Sequence, residues 1–353
     1  MCVKKILSFV ASTIKLFIII IILISNSKAD KSNIKYYYED EGILSLMYHR
    51  FDEEKYPSTN IQMSVFKQQI KIIKNLNYNF YDPGDLEKNF HTPKKEKKIL
   101  LTIDDAFSSF YEVAWPYLKD NKIPFILFVS TEYIGQNGYM NWDQIKEIEK
   151  EPITYIGNHS HSHGYLVDYK KKDLIKDLNK AKKSFIKNLG YNPIFFSYPF
   201  GEYSEYIKKY ISKNFKFSFG QHSGVIDINK NQYELPRFPI NKKYGDLKRF
   251  KFLINLQPLQ YKNLMPQNKY ITSHENPPKF SVEFFENQKN INNINCFSDE
   301  GDEWKKSDIH IYEKKLSIKF RKKFNFRRGR VNCSLNDDGA WRWFGIQFSI
   351  QQD

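Results

Sequence analysis

Between residues 42 and 240, short apolar runs alternate with segments of helical periodicity, and this alternation restricts the fold more than any other feature of the chain. Residues 43–48, 98–103, 124–129, 153–156, 194–198 and 216–219 read as strands. Their nearly unbroken apolar character suits strands buried on both faces. Between them, Phe66, Ile70 and Ile73 recur at helical spacing, and residues 108–121, 142–150 and 203–213 read as helices. The clearest helix is 171–189, where Leu174, Leu178, Ala181, Phe185 and Leu189 mark one face. Apolar strands joined by amphipathic helices predict an α/β fold with a covered parallel sheet, either a barrel or an open doubly wound sheet. In both, chemistry gathers where strands end and loops begin.

From about residue 276 the texture changes. Helical periodicity fades, and residues 308–320 and 330–350 alternate apolar with polar side chains. This predicts a catalytic domain over 30–275 and a small β-rich domain over 276–353. A hydrophobic content of 41% excludes disorder over most of the chain. A mean hydropathy of −0.61 excludes a polytopic membrane protein. The net charge is +15, but eight of the 55 basic residues are arginine and the lysines are spread along the chain. A nucleic-acid binder concentrates such charge on one face and favours arginine, so this balance reads as a compositional bias.

Residues 1–29 hold Lys4, Lys5, Lys15 and Lys28, no acidic residue, and an apolar stretch from Leu16 to Ile24. Ser27 and Ala29 follow, as before a cleavage site. The segment predicts a secretory signal cut before Asp30, or, if it stays uncleaved, a membrane anchor. Either way the chain is exported, to the periplasm or outside the cell. Export gives meaning to the cysteines. Cys2 leaves with the signal, and Cys296 and Cys333 remain as a candidate disulfide or as two separate buried thiols.

The second strand ends in Thr102-Ile103-Asp104-Asp105-Ala106. Two adjacent carboxylates repel unless a cation lies beside them. Neighbours on a strand face opposite ways, so one aspartate can hold a metal while the other faces water. The fourth strand ends in Gly157-Asn158-His159-Ser160-His161-Ser162-His163-Gly164. A helical turn there would place His159 and His163 on one side, with His161 pointing away. Asp, His and His make a three-ligand set with an open position for water, as in catalytic zinc sites. The other carboxylate can then act as general base in hydrolysis of a carbonyl compound. The fifth strand ends in Tyr198-Pro199-Phe200-Gly201, a turn that can present the Phe200 backbone N–H to an oxyanion.

These three segments, in this order, resemble the polysaccharide deacetylases of carbohydrate esterase family four over roughly residues 42–240. The segment Leu46-Met47-Tyr48-His49-Arg50 looks like the first strand of the subgroup that deacetylates exported N-acetylglucosamine polymers. The resemblance implies a distorted, incomplete (β/α) barrel. It implies Asp104 as base, and Asp105, His159 and His163 as ligands of one divalent metal, usually zinc. It also implies a polysaccharide substrate losing acetyl groups from N-acetylated sugars. The chain departs from the pattern at two places. The motif arginine that holds the catalytic aspartate is replaced by Ser197, and Arg237 is the expected substitute. The histidine that serves as general acid has no placed counterpart. His49, His222 and His274 are candidates, and His49 is preferred because strand ends converge on the site. The alternatives are a weak or inactive glycan-binding protein on the same fold and a deacetylase or esterase for a different substrate. In the C-terminal region, Trp341-Arg342-Trp343 puts two tryptophans on one strand face, for core packing or for sugar contact.

Overall fold

The computed structural model describes residues 41–352. The expected signal at 1–29 lies outside the described residues. Among those described, no helix is long and apolar enough to cross a membrane.

Six parallel strands form the spine of the main sheet: β1 (Ile43–Tyr48), β2 (Lys98–Asp104), β3 (Phe125–Val129), β4 (Thr154–Asn158), β5 (Phe195–Ser197) and β6 (Phe217–Phe219). They pair in chain order. Each is followed by a covering segment. The helices α1 (Met63–Asn75), α2 (Trp115–Asp120), α3 (Trp142–Glu149), α4 (Lys171–Leu189) and α5 (Glu205–Ile211) supply most of that cover. Local chemistry sets their ends. Asn141 and Gln144 form a reciprocal capping box at the start of α3, and Gly190 ends α4 at φ 84°, a conformation that glycine adopts without penalty. The helix expected over 108–121 is divided. A π turn, Phe110–Ala114, precedes α2, and Pro116 sits at that junction, where its missing N–H interrupts the regular ladder.

The apolar strands are buried on both faces. Leu44, Leu46, Ile99, Leu101, Ile103, Leu127 and Val129 pack outward against Phe66, Ile70, Ile73 and Phe185 of the helices. Ile43, Leu100, Ile126, Phe128, Phe195, Phe217 and Phe219 pack together on the other face, inside the curl of the sheet. Each such side chain contributes roughly 1.5–3 kcal/mol on burial. The period of two assigns Thr102 and Asp104 to the same inner face as Leu100.

The curl is an incomplete barrel. Val225–Ile226 pairs antiparallel with β1, and Phe238–Pro239 pairs parallel with β1. Leu235 bridges to Phe219 at the far edge. Residues 235–239 therefore run from the β6 edge to the β1 edge and cover what would otherwise be two open strand edges.

The chain then builds two further sheets. The long hairpin β7 (Arg328–Asp337) and β8 (Ala340–Ile350) centres a six-stranded sheet with Asn295–Asp299, Trp304–Lys306, Gln257–Pro258 and Tyr270–Ile271. A four-stranded sheet contains Lys262–Met265, Phe280–Glu283, Lys315–Lys319 and Asp308–Tyr312. Three of these strands precede residue 276, so chain leaving the barrel helps to build the β-rich layers. Phe280, Val282, Phe284, Leu316, Val331, Leu335 and Phe348 share one core. Cys296 and Cys333 face each other across paired strands and form a disulfide within that core. Trp343 packs against Phe238 of the barrel, whereas Trp341 stays 37% exposed beside Phe252. The two tryptophans share a strand side, but one is a packing residue and the other borders solvent.

Candidate active site

Asp104 is the last residue of β2 and points into the curl, where it is fully buried. The chain then turns sharply. Asp105 and Ala106 have φ of 76° and 58°, both left-handed. This turn, rather than strand alternation, is what allows both carboxylates to reach one site. Left-handed backbone is unfavourable for residues with a Cβ, and such strain clusters at functional positions.

Arg237 lies in the segment that closes the barrel gap, and it too is wholly buried. Its Nη1 and Nη2 donate to the two Asp104 carboxylate oxygens at 2.7 and 2.8 Å. Nη2 also donates to Ser197 Oγ at 2.7 Å, and Nε to the Gly220 carbonyl at 2.9 Å. Ser197 occupies the position where the resembling family carries an arginine, and its small side chain leaves space for a guanidinium arriving from another strand. Burial alone would raise the Asp104 carboxyl. The Arg237 charge, with His159 and His49 nearby, outweighs it and brings the pKa down to about 2.

The histidine loop is not a helical turn. His159 follows β4 directly, and Ser160 and His163 have φ of 68° and 50°. These two left-handed residues fold the loop back so that the two imidazole centroids are 4.8 Å apart. Internal bonds hold it. Asn158 Oδ1 accepts from the Ser160 N–H, Ser160 Oγ from the His163 N–H, and the Asp177 carboxylate from the N–H groups of His161 and Ser162. His161 turns away to Thr131 Oγ1 at 2.9 Å.

Asp105, His159 and His163 each offer one ligand atom, and these atoms all lie within 4.8 Å of one another. Asp105 Oδ1 is 3.6 Å from His159 Nε2 and 3.2 Å from His163 Nε2. Among the described residues, Asp105 Oδ1 and His159 Nε2 are buried without a hydrogen-bond partner. Buried polar atoms left unpaired are costly, and a cation would satisfy both. His159 Nδ1 sits 2.7 Å from the Ser197 carbonyl, which selects the tautomer with a free Nε2 lone pair. Burial lowers the His159 pKa to about 4, which also keeps that lone pair available. The donor set fits a divalent metal such as zinc.

His49 follows β1. Its pKa is lowered by burial and pushed back by the charges of Asp104 and Asp105. Phe200 has φ 59° and packs its ring 4.6 Å from His163 and 4.3 Å from Tyr165. The structure thus brings together Asp104, Asp105, His159, His163, Arg237, His49 and Phe200. It does not bring in the other two histidines considered. His222 lies under the 235–239 segment, where its carbonyl accepts from the Arg237 N–H, and His274 is exposed on a short 3-10 turn.

Several residues of the site were not singled out from the sequence. Asp177 holds the histidine loop from α4, and its signal is an acidic residue on the otherwise apolar face of that helix. Tyr133 and Tyr139 stack at 5.1 Å, and their hydroxyl pKa values are raised by burial and then by nearby acidic charge that includes Asp105. Arg50 lies 3.3 Å over the Phe107 ring and 4.1 Å over Tyr56. Aromatic faces therefore flank the Asp-His-His cluster, with Tyr133 and Tyr139 near Asp105 and with Phe200 and Tyr165 near His163. No local pattern marks them.

Residues 91–217 match the family described as polysaccharide deacetylase. A poly-beta-1,6-N-acetyl-D-glucosamine N-deacetylase of Staphylococcus aureus is 28% identical over 244 residues, covering 60% of this chain and 83% of that protein. Among solved structures, the Streptococcus pyogenes deacetylase PplD in complex with acetate aligns with a TM-score of 0.55 at 22% identity, covering 61% of this chain and 99% of that one. IcaB from Ammonifex degensii aligns with a TM-score of 0.52 at 21% identity, covering 62% and 99%. These two share the barrel fold.

Proposed function

We propose that this chain, whose residues 91–217 match the polysaccharide deacetylase family, is an exported, metal-dependent enzyme that removes acetyl groups from N-acetylglucosamine units of a poly-β-1,6-linked glycan. The observation that carries the reading is an Asp105–His159–His163 cluster, with Asp105 Oδ1 and His159 Nε2 unpaired, next to a separate, ionised Asp104. A site built only to bind sugar has no use for two carboxylates with different partners. The Staphylococcus aureus relative's name supplies the linkage.

Asp105, His159 and His163 would hold the metal. When bound, a divalent ion such as zinc supplies Lewis acidity, which lowers the pKa of water and polarises the acetamide carbonyl. Asp104, kept ionised by Arg237, accepts the proton of the attacking water. The Phe200 backbone N–H donates to the oxyanion of the tetrahedral intermediate. His49 delivers a proton to the departing amine, and acetate is released. The flanking aromatic rings suit the apolar faces of successive sugar rings, as a polymer substrate requires.

Acetate release tests the reading. The chain, supplied with zinc or cobalt, is offered β-1,6-linked N-acetylglucosamine oligomers, β-1,4-linked oligomers and acetylated xylan. Metal-dependent release from the first set above the others is the expected result. A preference for acetylated xylan would overturn the substrate assignment, and absence of bound metal would overturn the site.

A further inference from the structure

The turn that carries Phe200 is conformationally expensive. Phe200 and Gly201 both sit at positive φ, 59° and 70°. Glycine adopts this backbone freely, but a residue with a bulky side chain does not, so something must hold it. The side chains that do so come from the C-terminal β-layer. Gln347, on β8 and only 5% exposed, donates from Nε2 to the Phe200 carbonyl at 3.0 Å. Two residues further on, Glu202 is 1% exposed and takes Arg327 Nε at 2.9 Å on one oxygen and Arg328 Nε at 2.7 Å on the other. The Arg327 guanidinium lies 3.6 Å over the Tyr165 ring that stacks on Phe200, and Arg328 lies 5.3 Å over Phe200 itself. The strained peptide is thus fastened at its carbonyl, at the next acidic side chain and on its aromatic face.

We propose that Gln347, seconded by the Glu202–Arg327–Arg328 cluster, is a positioning residue for the deacetylation: the C-terminal sheet holds the Phe200 turn so that its N–H faces the oxyanion. The inference rests on the reading of the Phe200 N–H given above. It assigns the β-layer a part in the reaction. A carbonyl anchored from one side fixes the plane of the residue's backbone, and oxyanion stabilisation depends on donors that need no reorganisation during the reaction. A donor displaced by about 1 Å can lose on the order of a hundredfold in rate.

The test uses the full chain and two substitutions, Gln347→Glu and Gln347→Leu. The first keeps shape and removes the donor, and the second removes all polarity. Acetate release gives kcat and KM, bound metal is counted, and hydrogen exchange is followed in residues 198–203. The expected result is a kcat lower by roughly tenfold to a hundredfold. KM should stay within about twofold and metal content should be unchanged, because substrate binding and the ligands are untouched. Exchange in 198–203 should quicken, with the rest of the barrel unaffected. Unchanged kcat, or a rise in KM alone, would overturn the proposal. If both variants fail to fold, Arg328→Met, at a partly exposed position, must show the same pattern for the proposal to stand. If the unsubstituted protein releases no acetate, the enzymatic reading fails by itself. Exchange in 198–203 then decides the structural half, and an unchanged rate there refutes it.

Discussion

Asp104 and Arg237 form a two-pronged ion pair that is wholly enclosed in protein. A buried pair contributes little when whole, but breaking it strands a charge. Arg237→Met should therefore destabilise the fold by about 3–5 kcal/mol, read from urea unfolding. A loss under about 1 kcal/mol would mean that Asp104 finds another partner. Asp104→Asn keeps shape and removes the base. Acetate release should fall by roughly 10²- to 10⁴-fold while bound metal stays at the parental level, since Asp105, His159 and His163 are untouched. Loss of the metal in this variant would instead make Asp104 a ligand. The aspartates and the histidines were legible in the sequence as residue types at strand ends, and the resemblance to the deacetylase family implied their roles and Arg237 as the partner of Asp104. The geometry behind those roles was not legible, because it depends on a left-handed turn at Asp105 and on a segment that returns from residue 237.

At the scale of elements, the six barrel strands and the helices from Met63–Asn75 to Glu205–Ile211 follow the hydrophobic pattern, because both strand faces are buried and every helix has one apolar side. The π turn at Phe110–Ala114 follows from Pro116, a local signal that periodicity alone passes over. The histidine loop shows the limit of spacing arguments. A separation of four placed His159 and His163 together, as a helix would, yet two left-handed residues and the Asp177 carboxylate achieve it. Asp177→Ala removes acceptors for two loop N–H groups without touching a ligand. Metal affinity should drop by about 10- to 100-fold, measured by competition with a chromophoric chelator, as for other residues that orient ligands from behind. An unchanged affinity would show that the loop holds its own shape.

Taken as a whole molecule, barrel and β-layers meet through Trp343 against Phe238, through Gln347 and through the Glu202 ion pairs. The disulfide closes a span of 37 residues within the β-layers. Replacing Cys296 and Cys333 together by alanine should cost about 2–4 kcal/mol, seen as a lower unfolding midpoint, whereas an unaltered midpoint would confine the bond to a redox role. Two histidines with depressed pKa values, His159 and His222, make stability depend on pH. Burial lowers both His159 and His222 to about 4, against an ordinary value of 6.5. Between those values the unfolded chain binds protons that the folded chain refuses, so stability rises with pH across that window. The melting temperature of the metal-free protein should fall as pH drops from 6.5 to 4 and level off above 6.5. A flat profile there would mean that neither ring is kept from its proton in the folded protein.

The sequence by itself determined the parallel strands, their helical cover, the β-rich tail and the residue types at the strand ends. Each of these follows from local periodicity or from the neighbours of a single residue, and such information survives in a linear chain. Tertiary structure alone decided how Arg237 reaches Asp104, why Ser197 can stand where an arginine is usual, and that Glu202, Gln347 and two arginines from the far end of the chain secure the Phe200 turn. The contacts of Arg237 with Asp104, of Gln347 with Phe200 and of Arg328 with Glu202 join residues more than 100 positions apart. Separations of that length carry no pattern, because chain closure and packing, rather than periodicity, bring the partners together.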